Sequence, residues 1–257
     1  MPPQPWPDAR ITDCPSPNHD SRAGVGIDML LLHYTDTVDA QAALDILTDP
    51  AARVSAHYLV DVDGRVIRLV DEARRAWHAG VAAWRGVTDI NACSIGIEIQ
   101  NAGHSCAPTN APAPYPEAQI GSLIGLIHDI RARHAIPDRR ILGHSDVAPG
   151  RKQDPGAHFP WRRLADAGIG IWPPEDAALP GAPVSRATMS GAPESVRQVQ
   201  RSLAAIGYGS AVDGRAGPQT AAVVAAFQRH FRPSLVTGTT DADTVSRIGV
   251  IDSLMCS

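Results

Sequence analysis

Several marks of common protein classes are missing from this chain of 257 residues. None of its four cysteines forms a CxxC pair, which argues against a cysteine zinc knuckle, and they fit either free thiols or up to two bridges. No run approaches the roughly 18 apolar residues that a membrane-spanning helix needs. The net charge is −4 and like charges are not clustered, so we expect neither a nucleic-acid partner nor a membrane partner.

Motifs of other enzyme classes are missing as well. The chain has no GxxxxGK[ST] phosphate-binding loop and no GxSxG nucleophile elbow. Its start, MPPQPWPDARITDC, has neither the basic nor the apolar segment of a secretory signal. We therefore predict a cytoplasmic protein, with a periplasmic location as the alternative.

A segment rich in Pro, Ala, Gly and Ser divides the chain in two. It covers residues 173–194 and reads as a linker between a first domain over 1–172 and a small second domain over 195–257. The first domain alternates strand and helix patterns in the order β-α-β-β-β-α-β, which predicts an α/β fold with a mixed central sheet flanked by helices. The second domain shows three amphipathic helical stretches, which predicts a three-helix module.

Individual elements of the first domain have distinct signatures. The stretch IDMLLLHYT is apolar on both faces, as in a buried central strand. The stretch CSIGIEIQN alternates, with Ile95, Ile97 and Ile99 on one face and Glu98 on the other. The segment around DVDG predicts a hairpin, and EAQIGSLIGLIHDIRARHAI has the apolar spacing of a helix.

Three side chains form a candidate metal site. His33 and His144 each follow a predicted apolar strand, so both can lie at the rim of one sheet. Asp154 follows His144 across a loop rich in Gly and Pro that can fold back on itself. Two neutral imidazoles and one carboxylate make a three-ligand zinc site with a position left for water. Alternatively, His144 and Asp146 only form a polar turn.

Two further charged residues are candidates for catalysis. Glu98 is the one acid in a very apolar strand and could act as a general base at the floor of a cleft, or be an exposed carboxylate on a half-solvated sheet. Lys152 lies two residues before Asp154 and could stabilise an oxyanion, or be a solvated loop charge. The stretch AWHAG places Trp77 and His78 in a small-residue loop, suited to a pocket wall or to simple packing.

The first domain resembles a known family over about residues 10–165. The motifs that carry the resemblance occur in the family's order: LLLHYT, VSAHYLVDVDG, AWHAG, SIGIEIQN and GHSDVAPGRKQDPG. The family is that of the amidase-2 zinc N-acetylmuramoyl-L-alanine amidases, of the AmpD and AmiD type, which is related to the peptidoglycan recognition proteins. The resemblance implies their fold and one Zn²⁺ per chain.

The resemblance also implies roles for particular residues. His33, His144 and Asp154 match the zinc ligands, with the Asp form of the third ligand that the AmpD and AmiD group uses. Glu98 matches the catalytic acid and Lys152 the lysine before the last ligand. The residues that lie where relatives contact the muropeptide are Arg74, Trp77 and His78.

The second domain resembles the three-helix peptidoglycan-binding module, through VRQVQRSLAAIGY, VDGRAGPQTAAVVAAFQ and VTGTTDADTV. Together the two resemblances imply hydrolysis of the amide between (anhydro-)N-acetylmuramic acid and L-Ala by a monomer whose partners are muropeptides or peptidoglycan. A muropeptide-recognition protein without activity, or a zinc hydrolase of another cell-wall acyl bond, is the alternative. The module itself could also be purely structural.

Overall fold

A six-stranded sheet forms the centre of the protein, seen here in a computed structural model that describes residues 11–106, 113–173 and 193–256. Most of the predicted linker over 173–194 lies outside the described residues. The strands, in chain order, are β1 (Ile11–Asp13), β2 (His19–Ser21), β3 (Met29–Tyr34), β4 (Tyr58–Val60), β5 (Val66–Arg68), β6 (Arg74–Ala76), β7 (Ser94–Ile99) and β8 (Ile141–Gly143).

The sheet is mixed, as the sequence predicts. Its order is β1-β5-β4-β7-β3-β8, and β2 and β6 form a separate antiparallel pair that the sequence pattern does not reveal. All neighbours in the large sheet are parallel except β4 and β5, which form the predicted hairpin. Strands β7, β3 and β8 therefore end at the same edge, where the candidate site lies.

Helices cover both faces of the sheet. They are α1 (Ala40–Thr48), α2 (Ile90–Cys93), α3 (Glu117–Arg133), α4 (His144–Val147), α5 (Trp161–Asp166), α6 (Pro193–Ile206), α7 (Pro218–Phe231) and α8 (Ala242–Cys256). The α/β class and the three C-terminal helices are thus as predicted. Among the described residues, no helix combines the length and apolar character that crossing a bilayer would require.

The side chains of each strand alternate between the two faces of the sheet, and each face packs against a different set of helices. Ile95, Ile97 and Ile99 are fully buried and belong to the same apolar cluster as the inner side of α3. In α3, Leu126 is buried, whereas Ile124 is only half-buried. The central strand β3 is buried on both faces, as its unbroken apolar run predicts.

The C-terminal helices share a core with the sheet. One continuous cluster of buried apolar side chains joins Met29 and Leu31 of β3 to Leu203 of α6 and to Phe227 of α7. The T-shaped contact between Trp84 and Tyr208, with ring centroids 5.0 Å apart, belongs to the same cluster. Burial of these apolar side chains stabilises the packing of the C-terminal helices on the sheet, since apolar area removed from water contributes about 25 cal/mol per Å².

A half-buried carboxylate outside the candidate site gives a test of the fold. Glu72 accepts hydrogen bonds from the Tyr58 hydroxyl (2.7 Å), from Arg133 Nη2 (2.8 Å) and from His134 Nε2 (2.6 Å). Burial alone would raise the pKa of Glu72, but its bonds with Arg133, His134 and Tyr58 outweigh burial and lower the pKa to about 2. Because the folded-state pKa is depressed, the stabilisation is present above the unfolded value of about 4.3 and is lost as pH falls towards 2.

We expect Glu72→Gln to lower the free energy of unfolding at pH 7 by about 3 kcal/mol. The difference from the wild type should shrink as pH falls from 5 to 2, which urea unfolding at several pH values measures. Glu117→Gln is the matched control, since Glu117 is 74% exposed in its pair with Arg163 and should change stability by less than about 1 kcal/mol. A deficit that stays constant with pH would contradict the assignment.

Candidate active site

Two neighbouring parallel strands bring the first two histidines together. In the register of β3 and β8, Leu32 lies opposite Gly143, so His33 and His144 follow side by side at the sheet edge. Gly143 is required at the end of β8, because a Cβ there would lie 2.7 Å from Cδ of Pro155. Both imidazoles are 2% exposed, and their ring centroids are 4.5 Å apart.

The loop after α4 returns Asp154 to the same point. The Ser145 amide donates a hydrogen bond to the Asp154 carbonyl (2.9 Å), which closes the loop at its base. Oδ2 of Asp154 then lies 2.9 Å from Nδ1 of His33 and 3.0 Å from Nδ1 of His144, and the two Nδ1 atoms are 3.0 Å apart. The structure therefore brings together the three predicted metal ligands, all of them buried.

Hydrogen bonds on the far side of the rings assign the proton positions. Nε2 of His144 lies 2.9 Å from the Ala79 carbonyl, which can only accept, and 3.2 Å from Nη2 of Arg151, which donates to the same carbonyl at 2.6 Å. The shorter contact with the carbonyl favours a proton on Nε2, which leaves a lone pair on Nδ1. Nε2 of His33 contacts Nδ1 of His78 at 3.1 Å. The Ser94 hydroxyl donates to the Ile90 carbonyl (2.6 Å).

The hydrogen bond from Ser94 to the Ile90 carbonyl determines which ring nitrogens of His78 and His33 carry a proton. Because the Ser94 hydroxyl proton is used, its oxygen accepts from Nε2 of His78 at 3.3 Å. Nδ1 of His78 is then an acceptor, and His33 must donate to it from Nε2. His33 thus also presents a lone pair at Nδ1. His78 can pack this close because residue 96 is glycine, where a Cβ would lie 2.5 Å from Cγ of His78.

Electrostatics favours the same protonation states. Burial is the main cause that lowers the pKa of His33 to about 4, with the positive form of His144 as a second cause. With His33 neutral and both rings in the tautomers assigned above, two imidazole nitrogens and one carboxylate direct lone pairs at one point, an arrangement suited to a cation.

Glu98 stands beside this point on the neighbouring strand. In the register of β3 and β7 it lies opposite His33. Its Oε2 atom is buried and has no hydrogen-bond partner among the described residues. Burial is the main cause that raises the pKa of Glu98 well above its ordinary value, the negative charge of Asp154 adds to it, and Lys152 opposes it. A carboxyl in such a setting can exchange protons with a ligand in the cleft.

A cleft of about 380 Å³ opens over these groups. Lys152 and Trp77 line it together with the three candidate ligands and Glu98, and Arg53 places its guanidinium 5.9 Å from the centre of the Trp77 ring. The apolar part of its lining includes Ala43, Ile46, Leu47 and Val54.

The predicted substrate contacts His78 and Arg74 lie in different places. His78 reaches the cleft but uses both ring nitrogens within the protein. Arg74 does not line this cleft: it lies on β6, where its Nε donates to Nδ1 of His19 at 3.2 Å. Pairing of β6 with β2 fixes that direction, and the sequence pattern does not reveal this strand pair.

No sequence pattern singles out Ser94 or the Ala79 carbonyl, which form hydrogen bonds with His78 and His144 on the side away from the cleft. Asp146, which the sequence pattern treats as a turn residue, does accept from the Gly143 amide (2.8 Å) as a turn residue would. It also contacts Tyr208 and His230 from the C-terminal helices, at 2.7 Å each. No local motif predicts those contacts, because the partners are more than 60 residues away in the chain.

The protein has an α/β fold whose mixed sheet carries two histidines and an aspartate at one edge. A carboxyl lies beside them in a cleft. This fold and this site together define a class of metal-dependent hydrolases. The family model of N-acetylmuramoyl-L-alanine amidase matches residues 23–157, and a model of a peptidoglycan binding domain matches residues 192–248. The chain belongs to the N-acetylmuramoyl-L-alanine amidase family, as the sequence motifs predict.

Individual relatives agree with this. The N-acetylmuramoyl-L-alanine amidase AmiD of Escherichia coli is 40% identical over 233 residues, which cover 85% of this chain and 79% of AmiD. The structure of E. coli AmiD with anhydro-N-acetylmuramic acid-L-Ala-D-gamma-Glu-L-Lys has a TM-score of 0.74 at 38% identity, covering 90% of this chain and 89% of that one. AmpDh3 of Pseudomonas aeruginosa, in complex with anhydromuramic pentapeptide, has a TM-score of 0.72 at 30% identity over 94% and 95% of the two chains.

Proposed function

We propose that this amidase hydrolyses the amide between the lactyl group of (anhydro-)N-acetylmuramic acid and L-Ala, with one Zn²⁺ held by His33, His144 and Asp154. The observation that carries the proposal is the convergence of three lone-pair atoms beside Glu98, within a cleft large enough for a sugar and part of a peptide.

The donor set fits zinc. Its atoms lie 2.9 to 3.0 Å apart, against about 3.3 Å between the ligands of a tetrahedral zinc with 2.0 Å bonds, so a small outward movement suffices. No donor hydrogen lies among them in the assigned tautomers, which leaves three acceptors facing one another, an arrangement that needs a cation. When bound, zinc would supply Lewis-acid chemistry, polarising the carbonyl and lowering the pKa of water.

The chain's own residues then perform the proton transfers. Glu98 accepts a proton from the attacking water and later delivers it to the leaving amine of L-Ala. Its unpartnered Oε2 is free for this task. Lys152 opposes the effect of burial on the pKa of Glu98, and the positive charge of a bound cation would act in the same direction, which favours the carboxylate that accepts the first proton. Lys152, on the rim of the cleft, offers a positive charge to the oxyanion that forms when the carbonyl is attacked.

The remaining residues of the cleft position these groups and the substrate. We assign His78 to the orientation of His33, through the hydrogen bond that fixes which nitrogen carries the proton. Trp77, half-buried and at the cleft wall, is assigned to contact with the muropeptide.

The substrate class follows from the relatives in part. AmiD and AmpDh3 are named with anhydromuramyl peptides in their complexes, and we extend that class to this chain. The match of residues 192–248 supports binding of peptidoglycan by the C-terminal helices, which we propose act in a monomer. The cytoplasmic location stays a prediction, which fractionation of the native host tests.

Product analysis tests the proposed reaction. We expect the zinc-loaded protein to release an intact stem peptide with L-Ala at its amino end, together with a peptide-free sugar, from 1,6-anhydro-muramyl peptides and from sacculi. Mass spectrometry identifies both products. Cleavage inside the peptide would assign another acyl bond, and tight binding without turnover would make the protein a recognition protein; either result overturns the proposal. The ratio of kcat/KM for the two substrates decides between recycling and wall turnover.

A further inference from the structure

We propose that the C-terminal helices are a working part of the active site, because Tyr208 and His230 position the metal-ligand loop through Asp146. The loop meant here is 143–156, which carries His144 and Asp154. The inference rests on the proposed ligand roles of those two residues, and it assigns to the C-terminal helices a function separate from binding peptidoglycan.

Asp146 is the point where the two parts of the chain meet. Its side chain is fully buried, two residues after His144. Oδ2 accepts hydrogen bonds from the Gly143 amide (2.8 Å) and from Nδ1 of His230 (2.7 Å), and Oδ1 accepts one from the Tyr208 hydroxyl (2.7 Å). One carboxylate thus joins the end of β8, directly before the first ligand of the loop, to both C-terminal partners.

Packing holds both partners in place. The His230 ring stacks on Trp161, with centroids 3.7 Å apart and planes 16° from parallel. The Tyr208 ring contacts Trp84 and is 2% exposed. Both donors are therefore held by close packing, and they stabilise one position of the Asp146 carboxylate.

Helix α7 contacts the same loop at two more places. Nη2 of Arg229 donates to Oε1 of Gln153 at 3.3 Å, next to Asp154. A Cβ at Gly150, where φ is +77°, would lie 3.1 Å from Cβ of Ala222, so the backbones pack closely. The helix thus touches the start, middle and end of the loop, which a tethered binding module would not need to do.

Loss of the donors to Asp146 has a predictable consequence. A buried carboxylate that loses hydrogen bonds is destabilised unless it reaches water. We therefore expect the side chain of Asp146 to shift towards solvent and to displace the turn that begins at Gly143. His144 then loses its fixed position relative to His33. Removal of partners outside the ligand shell typically weakens metal binding ten- to a hundred-fold.

The test uses point variants of the full chain. We expect His230→Leu and Tyr208→Phe to raise the zinc dissociation constant about ten-fold or more, measured by chelator competition. At saturating zinc, kcat for an anhydromuramyl peptide should fall while KM changes less than two-fold. His230→Asn, which keeps a donor near the position of Nδ1, should restore most of the affinity.

Arg85→Met is the matched control. Arg85 donates from Nε to the Ile206 carbonyl at 3.0 Å, so this variant loosens the same junction without touching Asp146. Its zinc affinity and kcat should equal those of the wild type. Unchanged zinc affinity in both Tyr208→Phe and His230→Leu, or an equal loss in Arg85→Met, would overturn the inference. Failure of the wild type to bind zinc would instead overturn the proposed function.

Discussion

Replacement of Asp154 by Asn is expected to leave a folded protein that no longer retains zinc and that hydrolyses muropeptides at least about a thousand-fold more slowly. The carboxylate is the one anion in the proposed ligand set, and its Oδ2 lies within 3.0 Å of both imidazole nitrogens. An amide oxygen is a much weaker zinc ligand, so affinity and turnover should fall together.

The fold should survive this change. In the metal-free protein, Asp154 faces the lone pairs of His33 and His144, and an amide group could donate a hydrogen to one of them. The backbone bond from the Ser145 amide to the Asp154 carbonyl does not depend on the side chain. Elemental analysis after dialysis, melting temperature of the metal-free form and turnover are the three measurements.

Asp13→Asn is the control for this prediction, since Asp13 is an exposed partner of Arg68 far from the cleft. It should keep the zinc content and the rate of the wild type. Wild-type zinc content with wild-type turnover in Asp154→Asn would remove Asp154 from the ligand set, and unfolding of the metal-free variant would point to a structural role instead.

The sequence predicts the meeting of His33, His144 and Asp154 better than it predicts what surrounds them. His33, His144 and Asp154 could be selected because each follows an apolar strand or a loop of Gly and Pro, and strand ends of a parallel sheet meet at one edge. That rule requires only the order of the strands and helices along the chain. It does not predict which side chains contact the two histidines on the side away from the cleft.

The partners behind the ligands come from distant parts of the chain. Ser94 begins a strand and looks like any strand residue, yet its hydroxyl decides the tautomer of His78 and hence of His33. Arg74 lies in a strand pair too short to show an alternating pattern, so its direction could not be read. The periodicity of apolar residues predicts which face of a helix or strand is buried. It does not predict these contacts, because they depend on how the elements pack together in the folded protein.

The C-terminal helices illustrate the same limit. Their apolar stripes predict three helices, and Val199 and Leu203 are indeed buried. The stripes do not say what they are buried against, which here includes residues of β3 and β8. A polar residue on an otherwise apolar face, such as His230 in α7, indicates that its side chain has a polar partner in another part of the chain. The pattern does not identify that partner as Asp146.

Glu98→Gln should separate catalysis from metal binding. The variant is expected to keep zinc and KM, while kcat falls about 10²- to 10⁴-fold, because an amide cannot take the proton of the attacking water. Glu98 makes no hydrogen bond through Oε2 among the described residues, so no structural contact there depends on it. Zinc content should therefore equal that of the wild type, in contrast to Asp154→Asn.

Stability supplies an independent readout for the same variant. The pKa of Glu98 is raised in the metal-free folded state, chiefly by burial, so the folded state binds this proton more tightly than the unfolded state does. Stability is then lost as pH rises from the unfolded pKa, about 4.3, towards the raised value. Gln carries no charge and removes that loss, so metal-free Glu98→Gln should be at least as stable as the wild type at pH 7 and no more stable at pH 4. A variant that is slow and also unstable at pH 7 would mean that Glu98 holds the fold, and a variant that retains wild-type kcat would mean that another group moves the proton.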